Sequence, residues 1–526
     1  MRRSRPAPAL TGRASVGGAV LAGGLLGVAF LPVPFAFLAW FALVPLLDVL
    51  DARVRSRARL PALFMTGYAF GLAFFGIGIH WIALLSNVAI TVPWLKYPAW
   101  LAAAAYLALF PGLATLAAGW LARHARLSVA VTFPICFLVV EELRASGELG
   151  FPWFQPGYSQ APYAPLMQMA SLGSVSLVTL WLLVLNVLLW RSITAQSRMR
   201  TAIGALFALL LPWFWGARAL DAAPKDPGTP VALVQGNVAG EIKWSGNHEA
   251  EILATFLRLS GEAAEHNPRP ELIIWPETAT GTYLRKDLEQ SLAVNSFVLR
   301  ARVPVFTGFA DYDPVATGTP HAYNAAGLYG LDLQTGERYA KRHLVPFGER
   351  MPFERVFPFL GKLALGQAEW TPGDHPVLFP SPRGPFACLI CFESIFPDLA
   401  RADVRRGAKW LVNITNDEWF GNGAALVQHA AMAQFRAVEN HVPLARCANT
   451  GLTLLIDANG RVKARLPVFK EGVLVGSPGV PGPPTWFTRV GDWPGLVATL
   501  CFAWLAIAPA LFGRIAIALT ARAGSS

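Results

Sequence analysis

Charge is scarce in this chain: Asp, Glu, Lys and Arg make up 15% of its 526 residues, against 54% hydrophobic, and the mean hydropathy is +0.42. That scarcity excludes an ordinary soluble enzyme of this length. Acidic residues are the rarer sign, 33 against 44 basic, which leaves a net charge of +11. An excess of that size invites a nucleic acid, but the N-terminal arginines fall in short clusters between apolar stretches, and the anionic face of a bilayer fits them better. Cysteine is scarce too. Cys136, Cys388, Cys391, Cys447 and Cys501 are too few and too scattered for a disulfide framework. Cys388 and Cys391 form a C-x-x-C, but no second cysteine pair or nearby histidine pair accompanies it. It also falls in an apolar run that reads as a strand, where side chains three apart point to opposite faces. Neither a metal site nor an organic cofactor is expected.

What the chain has in quantity is long apolar runs, crowded into the first 220 residues and the last 35 or so. Candidate membrane spans cover roughly 15–31, 34–50, 60–84, 97–121, 127–143, 166–190, 201–219 and 493–513, near the length a bilayer requires. Pro32 and Pro34 interrupt the first two. The expected organisation is a polytopic α-helical membrane domain of about seven spans over 1–222, an α/β domain over 227–478, and a last membrane helix over 490–516. Met1 to Arg13 carries Arg2, Arg3, Arg5 and Arg13; because more apolar spans follow at once, an uncleaved first helix is expected rather than a signal peptide.

Basic residues then set the orientation. Arg53, Arg55, Arg57 and Arg59 follow the second span, Arg123 and Arg126 the fourth, Arg191, Arg198 and Arg200 the sixth, and Arg514 and Arg522 the last, whereas the alternate loops hold little beyond Lys96 and Arg144. With those loops cytoplasmic, the α/β domain lies outside, in a bacterial periplasm, anchored to the inner membrane. The loop from Ser146 to Pro165 is rich in Phe, Trp, Tyr and Pro and reads either as an interfacial aromatic belt or as a lip that guides lipid to a site, with Trp153 and Phe154 at its centre. Glu141, Glu142 and Arg144, which close the preceding helix, are expected to snorkel to the interface.

From about Pro227 the pattern turns to short strands alternating with helices. Residues 231–237, 272–275, 303–309, 385–391 and 410–416 read as buried strands, each ending in polar or turn residues. Ile252, Phe256, Leu259 and Ala263 repeat with helical spacing, 424–440 reads as a helix, and the runs on either side of Ala458, Asn459 and Gly460 read as a hairpin.

Three stretches of this domain carry chemistry. PFACLICFESIFP (385–397) ends an apolar strand on Cys391 and places Glu393 two residues later; LIIWPET (272–278) runs into Glu277; YAKRHLVPFGE (339–349) carries Lys341 into a loop that ends on Glu349. A thiol at a strand end needs a base or a positive neighbour to act as a nucleophile, which Glu277 and Lys341 would supply. Lys341 would also hold the oxyanion of a tetrahedral intermediate, and Glu349 and Glu393 would orient the lysine or tune its charge. Each residue has a plainer reading. Cys391 among Ile, Leu and Phe also reads as a packed core thiol, Glu277 after Trp-Pro as a solvated loop residue, and Lys341 beside Arg342 and His343 as a basic surface patch.

The order WPE, KRHLVPFGE, CFE resembles the carbon-nitrogen hydrolase, or nitrilase, superfamily, whose signature is a Glu, Lys and Cys triad on an αββα sandwich. With membrane spans on both sides the resemblance narrows to the apolipoprotein N-acyltransferase family, and it extends to FPWFQPGYSQ, VQGN with Lys243 and Trp244, Asn324 in HAYNAA, NDEWFG at 416–421 and RCANTG at 446–451. What it implies is Cys391 as nucleophile, Glu277 as general base and Lys341 as oxyanion-stabilising residue, with Glu349, Glu393 and Asn324 in support and Trp244 and Trp419 around an acyl chain or in loops over the site. Phe392 stands where that family often has Tyr, so a role for the hydroxyl is put in doubt while the ring remains. The implied partners are a phospholipid acyl donor, typically phosphatidylethanolamine, a diacylglyceryl apolipoprotein acceptor and membrane lipids, with no nucleic acid. The alternatives are a membrane-anchored nitrilase-like amidase and an inactive lipid-binding scaffold on the same fold.

Overall fold

Runs of Leu, Ala, Phe and Val between basic turns become helices because a backbone in apolar surroundings must satisfy its own hydrogen bonds. The computed structural model describes residues 15–523 apart from 87–91, 223–225, 315–320, 333–335, 355, 358 and 360–368; Arg2, Arg3, Arg5 and Arg13 lie outside the described residues, as do the side chains of Arg514 and Arg522. The first part holds α1 (Val16–Val28), α2 (Val44–Arg55), α3 (Leu60–Gly78), α4 (Lys96–His124), α5 (Val129–Ala145), α6 (Ala164–Met167), α7 (Ala170–Thr194) and α8 (Arg198–Asp221). Among the described residues four helical segments are long and apolar enough to cross a membrane: Leu60–Leu84, Pro93–His124, Ala170–Thr194 and Arg198–Asp221. The stretch read as a span over 34–50 is not one helix. Ala36–Trp40 forms a 3-10 turn and α2 starts only at Val44, with Pro45 in its first turn, where the missing N–H would have no helical partner in any case.

The second part holds β1 (Val231–Gln235), α9 (Gly240–Lys243), α10 (Glu249–Ala264), β2 (Ile273–Ile274), α11 (Leu288–Ala301), β3 (Val305–Asp313), β4 (His321–Tyr329), β5 (Tyr339–Ala340), β6 (Leu378–Phe379), β7 (Phe386–Ile390), α12 (Pro397–Arg405), β8 (Trp410–Thr415), α13 (Ala424–Asn440), β9 (Leu444–Ala448), β10 (Leu454–Ile456), β11 (Val462–Arg465) and β12 (Gly472–Gly476). Then α14 (Trp486–Val490) leads back to α15 (Trp493–Ala523). The strands make two six-stranded sheets, ordered β12-β1-β2-β3-β4-β5 and β11-β10-β9-β8-β7-β6. In each, the three central strands are parallel, β1, β2 and β3 in one and β7, β8 and β9 in the other.

Alternation along each strand decides what lies between the sheets. Val231, Leu233, Ile274, Phe306, Cys388 and Ile390 share the apolar layer between them. Their neighbours face outward: Ala232, Val234, Ile273 and Val305 pack with α10 and α11, and Ala387, Leu389 and Leu411 pack with α12 and α13. This is an αββα sandwich.

The two parts meet along α13. Helix α7 is interrupted at Gly173 and Ser174, the latter at φ 60°, and the carboxylate of Glu439 closes the break by accepting from Ser174 Oγ at 2.8 Å and from the Val175 amide at 3.2 Å. Arg436 donates to Glu439 at 2.8 Å and to the Tyr158 hydroxyl at 2.9 Å. All of these groups are buried, where an unpaired ion would cost several kcal/mol.

Candidate active site

Parallel strands present their following loops at one rim of the sandwich, and that rim gathers the chemistry. Glu277 stands in the loop after β2, Cys391 directly after β7, Asn416 after β8, and Lys341 directly after β5. The Glu277 carboxylate accepts from Asn324 Nδ2 at 2.7 Å and from the Asn416 amide at 2.8 Å, and lies 3.5 Å from Lys341 Nζ. Lys341 Nζ donates to Glu349 Oε1 at 2.8 Å. Asn324 Nδ2 reaches Glu349 as well, at 3.1 Å, so one amide spans both carboxylates. The other Glu349 oxygen accepts from the Val345 amide at 2.8 Å, which folds the loop back over the lysine.

The electrostatics follow from burial. Burial alone would pull Lys341 down, but Glu349 and then Glu277 outweigh it and hold the ammonium above the ordinary lysine range. Burial pushes the Cys391 thiol up, Glu277 adds to the rise, and Lys341 offsets part of it. Cys391 therefore rests as a thiol, and to act as a nucleophile it would need a base to take its proton. This differs from a lysine-held thiolate.

Cys391 itself is a non-glycine residue at φ 49°, a conformation that costs roughly 1–2 kcal/mol and persists where neighbours over-determine it. They do so here. Its carbonyl accepts from Ser394 Oγ at 3.0 Å and from His429 Nε2 at 3.1 Å. The next carboxylate, Glu393, accepts from the Ile390 amide at 2.7 Å, the Arg342 amide at 2.7 Å, the His343 amide at 3.2 Å and the Tyr339 hydroxyl at 2.7 Å. Glu393 is thus bonded to the backbone around Lys341 and not to its ammonium. The strand ends at Ile390, so alternation does not extend to Cys391; Cys388 and Cys391 both border the layer between the sheets instead of facing opposite ways.

The aromatic residues divide. Trp244 follows α9 and is 44% exposed. Beside it, Lys243 is buried and donates to the Glu277 carbonyl and the Thr278 hydroxyl, both at 3.2 Å, and burial pulls its ammonium down to about 8. Trp419 is half-buried, and its carbonyl accepts from the Ser86 amide at 3.2 Å. Phe392 packs edge-on against Phe396, with centroids 5.3 Å apart, and parallel to Phe151 at 6.4 Å.

Trp153 and Phe154 depart from the access role. Both are buried, because Trp153 lies between Trp81 and His429 and donates to Gln428 at 3.1 Å, while Phe154 fills the space over Gly78 against Phe30 and Phe74. Residues 152–160 form a buried strap, neither an exposed belt nor a lip. Glu141 and Arg144 do not snorkel: they pair at 2.6 Å inside the protein, and Arg144 donates to the Phe151 and Trp153 carbonyls.

Several neighbours of Cys391 carry no signal in the sequence beyond a motif. Thr415 donates to Asp417 at 2.8 Å, Arg446 donates to Asp417 at 2.7 Å, and His429 is buried behind Cys391. Burial pushes Asp417 up, but the Arg446 guanidinium and the contacts from His429 and Thr415 outweigh it and hold the carboxyl below the usual range. A buried histidine within a run of alanines in α13 gives no pattern by which to find it. All five cysteines are free. Among the described residues no group of three or more His, Cys, Asp or Glu side chains is placed to hold a metal ion.

The sandwich and its rim define a carbon-nitrogen hydrolase domain, and residues 230–477 match the carbon-nitrogen hydrolase family. Residues 22–188 match the apolipoprotein N-acyltransferase N-terminal domain. The apolipoprotein N-acyltransferase of Geobacter metallireducens is 33% identical over 507 residues, covering 94% of this chain and 95% of that protein. Those of Chlorobaculum tepidum and Methylococcus capsulatus are 31% and 34% identical, each over 92% of this chain and 93% and 95% of theirs. The chain belongs to the apolipoprotein N-acyltransferase family.

Proposed function

We propose that this membrane acyltransferase moves an acyl chain from a phospholipid, such as phosphatidylethanolamine, to the N-terminal amine of a diacylglyceryl-cysteine lipoprotein through a thioester on Cys391. The observation that carries the reading is the contact of buried Glu277 and Lys341 with half-buried Glu349 at the rim that also presents Cys391. In the first half-reaction Cys391 Sγ attacks the ester carbonyl while Glu277 takes the thiol proton. The Sγ–C bond forms, Lys341 stabilises the oxyanion, and as the C–O bond breaks Glu277 returns the proton to the departing glycerol oxygen. In the second half the amine attacks the thioester, the N–C bond forms and the C–S bond breaks, and the amine proton passes through Glu277 to sulfur.

The location of the basic loops supports the orientation. Arg123 donates to the carbonyls of Ala58 at 2.7 Å and Arg53 at 2.9 Å, so the α2–α3 and α4–α5 turns lie together. The α/β domain meets the opposite helix ends, through Gln428 to the Phe30 carbonyl at 3.1 Å and Ser86 to Trp419. With the basic turns inside, this reading has the domain on the periplasmic side of the inner membrane, with about seven spans before it and one after.

The test is product analysis of purified protein in detergent with phosphatidylethanolamine and a diacylglyceryl lipopeptide. Lysophospholipid and N-acylated peptide in equal amounts are expected. Free fatty acid without N-acyl peptide would make it a hydrolase of the amidase type, and lack of any product would leave a scaffold.

A further inference from the structure

We infer that His429 is a positioning residue for acyl transfer, holding the Cys391–Phe392 peptide so that both the sulfur and the Phe392 N–H face the reacting carbonyl. The inference rests on the thioester reading above. His429 Nε2 is 3.1 Å from the Cys391 carbonyl and 3.0 Å from Ser394 Oγ. Ser394 itself donates to that carbonyl at 3.0 Å. Both neighbours of Nε2 are therefore acceptors, and Nε2 must carry the proton. Nδ1 is then left to accept from Arg446 Nη2 at 3.1 Å. Asp417 Oδ1, which accepts from the Thr415 hydroxyl, also lies 3.1 Å from Nδ1. Burial and the Arg446 charge hold His429 below its ordinary range, and the Asp417 carboxylate beside Nδ1 opposes them.

The peptide that His429 grips has a second end. The carbonyl of Cys391 and the N–H of Phe392 belong to one planar unit, so a donor on the oxygen polarises the N–H. That N–H begins the 3-10 turn Cys391–Ile395, and the first N–H groups of such a turn have no carbonyl within it to bond. It is the donor that the residue after a nucleophile at a sharp turn supplies to an oxyanion. The imidazole is in turn fixed by the membrane half. Trp153 lies parallel to it, with centroids 5.4 Å apart and planes at 27°, and Phe420 closes its edge at 6.1 Å. Trp153 is held by its bond to Gln428 and by Arg144 on its carbonyl at 2.6 Å. The strap read as a lipid lip thus braces the group behind the nucleophile.

Three substitutions separate positioning from packing. His429→Gln carries an amide donor out to the place of Nε2, His429→Asn reaches only the place of Nδ1, and His429→Phe keeps the stacked ring without a donor. Intact-protein mass spectrometry would follow single-turnover acylation of Cys391 by phosphatidylethanolamine, with the unfolding temperature measured alongside. Removing one oxyanion donor costs ~10²–10³ in rate, and weakening one is expected to cost at least ~10-fold for His429→Asn and His429→Phe, with half-saturation unchanged. His429→Gln should recover most of the rate. Acylation at the wild-type rate in His429→Asn, or equal losses in His429→Gln and His429→Asn, would overturn the inference, since those two polar variants differ chiefly in reach. A wild-type protein that takes up no acyl group would instead contradict the thioester itself, and this inference with it.

Discussion

The hydroxyl of Tyr339, on the last strand of one sheet, donates to the carboxylate of Glu393, two residues beyond Cys391 of the other sheet, at 2.7 Å. The Arg342 amide reaches the same carboxylate at 2.7 Å. Two chain segments that carry Lys341 and Cys391 are thereby fixed to each other by one buried acid, which burial pushes above its usual range. The distance from lysine to sulfur depends on this tie. Glu393→Ala leaves four donors without an acceptor, each worth ~1–3 kcal/mol when buried. It is expected to abolish acylation and lower the unfolding temperature. Tyr339→Phe removes one donor, costs ~1 kcal/mol, and should slow acylation less; a fully active Glu393→Ala would contradict this tie.

The resting state of Cys391 gives a pH dependence with a definite sign. Burial and Glu277 hold its pKa above that of a free cysteine, so its thiolate fraction is smaller at every pH below that value. Alkylation by iodoacetamide should rise steadily from about pH 7 to 9 without a plateau. Lys341→Met removes a neighbouring positive charge that favours the thiolate and should slow alkylation further. A plateau near neutral pH would show a preformed thiolate.

Glu277→Gln has opposite effects on two reactions of the same sulfur. Losing the neighbouring carboxylate relieves the upward push on the thiol, so alkylation should become faster. Acyl transfer should fall by ~10²–10⁴, the typical contribution of a general base. Parallel changes in the two rates would argue that Glu277 only shapes the site.

The junction between the two halves depends on Glu439. Glu439→Ala strands the buried Arg436 and reopens the break in α7, and losing one partner of a buried pair costs ~3–5 kcal/mol. The unfolding temperature in detergent should drop markedly. Glu439→Gln keeps an acceptor for Ser174 and Val175 and should fall less; no change in either variant would mean the contact does not hold the halves together.

Orientation is tested by cysteines placed at the exposed positions Leu288 and Arg57. A membrane-impermeant maleimide should label Leu288→Cys on intact spheroplasts and Arg57→Cys only after the membrane is opened. The reverse pattern would put the sandwich in the cytoplasm.

What could be read from the sequence depended on periodicity. Strands such as Phe386–Ile390 and Trp410–Thr415 are buried on both faces and appear as short apolar runs. By contrast β4, with its Tyr, Asn and His, and the short β5 and β6 have no such pattern. Glu277, Lys341 and Cys391 stand out because each follows a strand or motif, whereas His429 lies inside a helix that is buried on nearly every face and so gives no periodic pattern. The aromatic loop misled for a physical reason: Trp153 and Phe154 have the composition of an interface but are buried by partners over 270 residues and over 70 residues away in the chain, Gln428 and Gly78. Glu393 misled similarly, since its place beside the nucleophile gives no hint that its acceptors serve Tyr339, Arg342 and Ile390.

The central claim is a thioester on Cys391, and intact-protein mass spectrometry tests it most directly. Wild type and Cys391→Ala would be incubated with phosphatidylethanolamine alone and then treated with hydroxylamine. The account predicts one added acyl mass on wild type only, removed by hydroxylamine and transferred to a diacylglyceryl lipopeptide when that is supplied. N-acylated lipopeptide formed by Cys391→Ala at the wild-type rate would contradict it.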